Sequence, residues 1–494
     1  MTDPRSYRML IDGALVDAAD GSRLDSVNPA TAEVWATFPA AAAADVDRAV
    51  RAAHHAMTDG PWARLTPSQR GKLIRRLADL VAEHADAMAQ VETVDTGKLL
   101  RETRGQIKYV AEFYHYFAGL ADKIEGATLP IDKPDMLAMT LREPIGVVAA
   151  LIPWNSQLFL TAIKLGPALA AGNAVVIKAS EQGPAALLEF ARLIEPAGFP
   201  PGVVNIVTGL GDPCGKALTS HPLVARIAFT GGPETARHVI RNAADNFAHV
   251  TLELGGKSPV VAFADADLEN AANAVIAGIF AASGQSCVAG SRLIVEETIH
   301  EPLLARIVER ARSIKIGDPL DAATEMGPLC TRAQLDRIED VVSKTIAAGG
   351  KLLHGGERPA HLNRGWYYAP TIVDCPAARL PSAEQELFGP VLSVLRFKDE
   401  DEAVRLANDT NYGLAAGVFT ADGARALRVT KRLRSGIVWI NTYRAVSPIV
   451  PFGGYGHSGY GREGGLESVL DYTRTKSVWF NLSAQPMADP FVMR

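Results

Sequence analysis

The residue in this chain best suited to nucleophilic chemistry is Cys287. It lies in the run Phe280-Ala281-Ala282-Ser283-Gly284-Gln285-Ser286-Cys287-Val288-Ala289-Gly290-Ser291-Arg292. Small residues and two glycines surround the sulfur, so other groups can approach it and backbone N–H groups can be aimed at it. A thiol is a good nucleophile only as the thiolate, and its surroundings set how much thiolate exists. A lone cysteine in such a stretch is more often inert packing, so the case rests on its partners. Leu252-Glu253-Leu254-Gly255-Gly256-Lys257 sets a carboxylate at an apolar strand end, where burial raises its pKa toward the range of a general base. The alternative there is a strand-end glutamate turned to solvent. Pro153-Trp154-Asn155 offers a side-chain amide that can donate to a developing oxyanion, or else a turn-forming asparagine.

Three further segments point to a bound nucleotide. Ile177-Lys178-Ala179-Ser180-Glu181 ends a strand with a lysine and a glutamate that can both meet a ribose; a surface salt bridge explains the pair as well. Phe229-Thr230-Gly231-Gly232 leads from a strand into a helix, a natural seat for a diphosphate. Gly209-Leu210-Gly211-Asp212-Pro213-Cys214-Gly215 has one residue too many for the glycine-rich dinucleotide fingerprint. It reads as a tight strand-to-helix turn with a weak cofactor contribution.

The elements that must hold these residues follow from the hydrophobic pattern. From Ile145 to Ala262 apolar strands (Val147–Ile152, Ala174–Ile177, Val203–Val207, Val224–Phe229) alternate with helices, among them one to Ala171 and one over Pro184–Ala197. That pattern predicts a parallel α/β sheet with ligands at the carboxyl ends of its strands. From Leu268 the alternation restarts with a helix through Phe280, the cysteine stretch, the strand Leu293–Val295, a long helix, then Ala415–Phe419 and Ile437–Ile440, which predicts a second α/β domain. Ahead of both, short strands are expected at Met9–Val16 and Asp25–Val27, and Asp45 is the expected N-cap of an alanine-rich helix. Amphipathic helices then run to about Ala121, with breaks near Gly60-Pro61 and Thr66-Pro67. A hairpin of Ala127–Asp132 and Met136–Arg142 cannot be stable alone; the tail strand Thr473–Leu482 is its candidate partner.

Taken in order, Asn155, Lys178, Glu181, Gly231, Glu253 and Cys287 resemble the pattern of the NAD(P)-dependent aldehyde dehydrogenase superfamily over essentially the full chain. Glu386-Leu387-Phe388-Gly389-Pro390-Val391 and Pro451-Phe452-Gly453-Gly454-Tyr455 through Gly459-Tyr460-Gly461-Arg462-Glu463 add two more family motifs. The resemblance implies a Rossmann-like cofactor domain (1–124 and 145–255), an α/β catalytic domain (256–470) and a small β oligomerisation element (125–144 and 471–494), assembled as a homodimer or homotetramer. It implies Cys287 as nucleophile, Asn155 and the Cys287 N–H as oxyanion hole, and Glu253 as the base that activates water. Lys178, counted with the catalytic set as well, and Glu181 would hold the adenosine ribose, and Glu386 with Phe388 the nicotinamide ribose side. Ile152, Trp154, Ser180, Gly211, Phe229, Thr230, Gly231, Gly232 and Leu254 complete the expected cofactor contacts. The chain departs from the family pattern at Ser156-Gln157, Gly232, Ala236 and Gly456.

The substrate is then a small-molecule aldehyde. Its pocket should be lined from the helix after Asn155, the helix before Cys287 and the loop before Phe452, with Tyr109, Phe159, Ser286 and Phe452 as walls. The small Ser156 and Ala281 predict room for a bulky aldehyde, aromatic ones included. Arg444 is placed to meet a substrate carboxylate, or is a plain exposed or ion-paired arginine. NAD is preferred because a carboxylate at Glu181 accepts from ribose hydroxyls and repels a 2′-phosphate; NADP stays open because Lys178 is near. The competing functions are a coenzyme A-acylating enzyme, a catalytically silent member of the fold and a cysteine hydrolase, the last lacking a histidine in a recognisable place.

Composition sets the outer bounds. The 494 residues are too many for one ordinary core. A net charge of −5, from 50 basic and 55 acidic residues, gives no nucleic-acid footprint. Lys431-Arg432-Leu433-Arg434 reads as the solvated end of a helix. Cys214, Cys287, Cys330 and Cys375 form no metal-ligand spacing, which predicts a reducing compartment and no metal site. Met1 to Tyr7 holds no signal-peptide core and no apolar run reaches membrane-spanning length, so the expected location is the cytoplasm.

Overall fold

The computed structural model describes residues 4–487 and 489–492. Met1 to Asp3, within the start read above as leaderless, lie outside the described residues, as do Ala488 and the last two residues of the 471–494 segment.

The helix Leu100–Leu120 (α1) precedes the first sheet. The strand Val147–Ile152 (β1) feeds the helix Gln157–Ala170 (α2), and the strands Ala174–Ala179 (β2), Val204–Val207 (β3) and Val224–Thr230 (β4) follow. The helix Pro233–Ala243 (α3) then leads to the strand His249–Glu253 (β5). In space the order is Gly459–Tyr460, β5, β4, β1, β2, β3, Met9–Ile11, Ala14–Val16. The five central strands run parallel; the outer ones are antiparallel. All six residues of β1 and of β2 are buried, as strands covered by helices on both faces must be.

A second sheet begins with Pro259–Ala262 (β6). The helix Leu268–Ile279 (α4) carries the chain to the cysteine stretch and the strand Arg292–Glu296 (β7). Val391–Phe397 (β8), Ala415–Phe419 (β9) and Ile437–Ile440 (β10) pair in parallel around β6 and β7, and the strands Lys351–His354 and Thr371–Asp374 extend one edge. Among the described residues no helix is long and apolar enough to cross a membrane.

The hairpin does find its partner. Thr473–Asn481 pairs antiparallel with Met136–Pro144 along its whole length, and Thr128–Leu129 joins on the other side. Met136, Leu141, Trp479 and Phe480 remain exposed on this three-stranded sheet.

Three local expectations are corrected. Asp45 is not the N-cap of its helix. The helix starts at Ala43, because the alanines ahead of Asp45 extend it, and Asp45 Oδ2 instead accepts from the N–H of the N-cap Ala42 at 3.1 Å. The helix expected over Pro184–Ala197 is α-helical only for Ala185–Phe190 and then tightens to a 3-10 turn over Ala191–Leu193. The segment Gly211–Gly215 is a wide helical turn with a cis Asp212–Pro213 bond, rather than a plain tight turn.

Candidate active site

The thiol sits beyond a strained reversal. Asp267 caps α4, its carboxylate accepting from the N–H groups of Glu269 and Asn270 at 2.9 and 3.1 Å. After Phe280 the chain passes through Ala282, Ser283 and Gly284 with φ of 53, 54 and 73°. Left-handed backbone costs about 1–2 kcal/mol at a residue that carries a Cβ, so the turn must be held from outside. Ala282 N donates to Glu102 of α1 at 2.9 Å, and Ser283 Oγ donates to Gly327 O at 2.8 Å. Gly284 is needed twice over: besides its φ, a Cβ there would stand 2.1 Å from Gly389 O.

Asn155, just beyond β1, reaches the same loop. Its Nδ2 donates to Gln285 O at 3.1 Å, two residues before Cys287. From β5 the backbone continues through Gly255 and Gly256 under the thiol; a Cβ on Gly256 would lie 2.7 Å from Cys287 O. Gly256 N donates to Glu386 Oε1 at 2.9 Å. The sulfur packs beside Val288, Leu414, Trp439, Tyr443 and Phe452. Cys287 is only half-buried, yet its sulfur is deep enough that desolvation pushes the thiol pKa up to about 12, with Glu386 and Glu253 adding to the rise and Arg444 opposing it. Burial likewise raises Glu386 to about 7 and lowers Lys257 to about 7.

Glu253, the last residue of β5, is 3% exposed, so it does not turn to solvent. Neither of its carboxylate oxygens has a hydrogen-bond partner. Its pKa is raised well above the usual carboxylate range, first by burial and then by Glu463, against the opposing charges of Lys164 and Arg462. Glu463 forms a buried ion pair with Lys164, whose Nζ also donates to Thr230 Oγ1 at 2.7 Å. The sequence reasoning missed Lys164, although a lone charge inside the otherwise apolar α2 was a usable signal.

The cofactor candidates gather at the carboxyl ends of β1, β2 and β4. Ile152, Trp154, Lys178, Ser180, Glu181, Gly211, Phe229, Thr230, Gly231 and Gly232 all line one cleft of about 740 Å³. Lys178 is buried, and its Nζ bonds both Ala179 O at 3.1 Å and Glu181 Oε2 at 3.3 Å, so the salt-bridge alternative is present inside the cleft. The face of α3 carrying Thr235, His238 and Asn242 also lines it and was not foreseen. Leu254, Glu386 and Phe388 are not part of that wall. Leu254 is buried and bonds Ser458 O, Glu386 faces Gly256, and Phe388 meets the Trp154 ring edge-on at 5.6 Å.

An apolar cavity of about 420 Å³ adjoins the thiol cluster through Ile437, Trp439 and Phe452. Phe159 and Ile163 of α2 and Phe113 of α1 line it; α1 takes the place expected for the helix before Cys287. Tyr109 meets Phe113 edge-on at 5.5 Å, and its hydroxyl donates to Val446 O at 3.1 Å. Tyr109 itself, Ser286 and Arg444 do not line this cavity. Near Asn155, Ser156 Oγ lies 3.4 Å from both Lys98 Nζ and Gln106 Nε2, and Lys98 pairs with buried Glu92 at 3.3 Å. Among the described residues no three His, Cys, Asp or Glu side chains gather as a metal site.

Comparison with known proteins agrees with this arrangement. A sequence profile described as "Aldehyde dehydrogenase family" matches residues 15–478. The chain is 58% identical over 491 residues to the "(Z)-2-((N-methylformamido)methylene)-5-hydroxybutyrolactone dehydrogenase" of Acinetobacter baylyi, covering 99% of this chain and 100% of that protein. It is 41% identical over 475 residues to an "Aldehyde dehydrogenase" of Emericella nidulans, covering 96% and 95% of the two chains. Among solved structures, the NAD+ complex of an aldehyde dehydrogenase from Bacillus cereus superposes with a TM-score of 0.95 at 41% identity, covering 97% of each chain. By fold and by sequence, over nearly its whole length, this chain belongs to the aldehyde dehydrogenase family, whose members oxidise aldehydes.

Proposed function

We propose that the chain oxidises an aldehyde to the carboxylic acid through a thiohemiacetal and a thioester on Cys287, with NAD as acceptor. The observation that carries this is the convergence of Asn155, Glu253 and the Cys287 loop from three separate elements. In this mechanism the Cys287 thiolate adds to the aldehyde carbon. Asn155 Nδ2 and the Cys287 N–H donate to the oxyanion, and one such donor is worth about 10² to 10³ in rate. Loss of hydride from the tetrahedral carbon leaves the thioester. Glu253 then takes a proton from the attacking water, a task suited to a carboxylate whose burial makes it a stronger base. Lys164 holds a compensating positive charge beside it, while Glu463, paired with Lys164, adds to the rise.

A dinucleotide fits the cleft at the strand ends. Lys178 and Glu181 suit a ribose, Gly232 leaves open space where a Cβ would stand, and α3 presents its N-terminus to a diphosphate. Bound there, the nicotinamide supplies the hydride acceptor. Glu181 favours NAD over NADP, which the ratio of specificity constants for the two cofactors would test.

The eight-stranded sheet is the proposed cofactor domain and the seven-stranded sheet the catalytic one. The three-stranded sheet, with its exposed Trp479 and Phe480, is the proposed contact in a homodimer or homotetramer. The apolar cavity has room for a bulky aldehyde. The Acinetobacter relative is named for a 5-hydroxybutyrolactone, whose hemiacetal carbon is at the aldehyde oxidation level. We extend that class, an aldehyde masked as its cyclic form, to this chain.

The test is NADH formation with NAD and a panel of aldehydes, run with wild type and Cys287→Ala. Oxidation that disappears in the variant supports the thiol route. Bound NAD with no oxidation, or oxidation that requires coenzyme A, overturns it.

A further inference from the structure

The loop after β10 is tied down on both sides of one arginine, once to the thiol stretch and once to β10 itself. Tyr443 Oη donates to Val288 O at 3.0 Å, the carbonyl next to Cys287. Trp439 Nε1 donates to Ala445 O at 2.9 Å. Between these ties Arg444 adopts φ of 64°, and Asn441 upstream adopts 53°. Neither is glycine, so the loop holds strain that fixes where the Arg444 side chain departs. Its Nη1 donates to Ala277 O at 3.0 Å and Ala281 O at 3.5 Å, laying the guanidinium over the C-terminal end of α4 and the turn that leads to the thiol.

The rest of that guanidinium is uncommitted. Among the described residues no carboxylate lies within ion-pair distance of it, and Nε and Nη2 have no hydrogen-bond partner. The cation beside Ser156, Lys98, is by contrast already compensated by Glu92. Arg444 is half-buried, and its positive charge reaches the Cys287 thiol, where it opposes the upward shift. Such a fork matches a carboxylate with two parallel N–H bonds.

We propose that Arg444 is the anion anchor of the substrate site, and that the enzyme selects aldehydes carrying a carboxylate, taken as the open-chain tautomer of a 5-hydroxybutyrolactone. This rests on the dehydrogenase mechanism above. A thiolate adds to a trigonal carbonyl carbon, whereas in the ring form the carbon at the aldehyde level is tetrahedral. On opening, the hemiacetal hydroxyl loses its proton, the bond from that carbon to the ring oxygen breaks, and an aldehyde and a carboxylate result. The aldehyde is then oxidised: hydride passes to NAD+, water supplies the second oxygen, and the product is a dicarboxylate. Arg444 holds the released carboxylate and so favours the reactive tautomer at the site.

The experiment compares 4-oxobutanoate, whose ring form is the simplest 5-hydroxybutyrolactone, with its methyl ester, which carries no charge. The readout is the ratio of kcat/KM for the two in wild type, Arg444→Met and Arg444→Lys. The expected result is a wild-type ratio well above one that falls about tenfold or more in Arg444→Met and partly recovers in Arg444→Lys. Equal loss on both substrates, leaving the ratio unchanged, means Arg444 only holds its loop and overturns the proposal. Calorimetric titration with succinate, the product of the first substrate, separates the two levels. Arg444-dependent succinate binding without aldehyde oxidation keeps the anchor and removes the dehydrogenase mechanism. Oxidation with succinate binding indifferent to Arg444 removes the anchor alone.

Discussion

The proposed cofactor cleft and the thiol pocket lie close together but are built on opposite electrostatic terms. In the cleft, polar groups are mutually satisfied: Lys178 bonds Glu181 and a backbone carbonyl at the edge of open space. In the thiol pocket, ionisable groups are buried and left short of partners. Both oxygens of Glu253 have none, and Cys287 and Glu386 are pushed toward their neutral forms; Lys257, buried next to the Gly256 that bonds Glu386, is pushed the same way and its Nζ has no partner. A surface that must bind and release can be satisfied in advance. A pocket that must move protons and form bonds gains from groups held away from their resting charge, at a cost in stability.

If that contrast is right, changes in the pocket act on turnover and changes in the cleft act on binding. The largest effect is expected from Cys287→Ala, which should lower kcat by about 10⁴ or more in steady-state NADH assays. Residual turnover near wild type would place the chemistry elsewhere. Glu253→Gln should lower steady-state kcat by about 10² to 10⁴ yet preserve a first-turnover burst of NADH, because thioester formation precedes its step. Loss of the burst would show that Glu253 serves the thiol instead. Asn155→Ala should cost about 10² to 10³ in kcat with little change in aldehyde KM. Across the boundary, Lys178→Ala should weaken NAD binding by about tenfold in a fluorescence titration. A kcat loss as large as that of Asn155→Ala would blur the division between the two regions.

The smallest effect concerns stability against pH. Lys257 is lowered from 10.5 to about 7 in the folded state. Between those values the unfolded chain binds the extra proton, so this residue makes stability rise with pH across that window. In Lys257→Met that contribution to the rise in Tm should vanish; an unchanged slope would mean the ammonium is accommodated where it lies.

How much of this was legible in the sequence depended on how local its cause was. The strands Val147–Ile152, Ala415–Phe419 and Ile437–Ile440 were read to the residue, because uninterrupted apolar runs bounded by turn residues have little else to become. The placement of Asn155, Lys178, Gly231 and Glu253 at strand ends followed from the same runs. The strand Gly459–Tyr460 was not legible: two residues among glycines carry no strand signal and pair only because Leu252 and Glu253 are there. The Lys164–Glu463 pair joins residues 299 positions apart, and no spacing rule reaches that far. Asp45 was misplaced by three positions because a side chain that accepts from the N-cap N–H and one that caps from the N-cap itself look alike in sequence.

The short strand Gly459–Tyr460 also sets a schedule. Glu253 is enclosed by Gly453, Gly459 and Glu463, all supplied late in the chain. Synthesis proceeds at about 5–20 residues per second, so the ribosome makes the thiol long before it makes the enclosure of the base. A nascent chain that has reached Cys287 can form the parallel core of the first sheet but lacks that sheet's last edge strand. The proposed base is therefore enclosed only after the whole second sheet has been made, and the thiol waits as long for its own apolar cover, because Trp439, Tyr443 and Phe452 also come late.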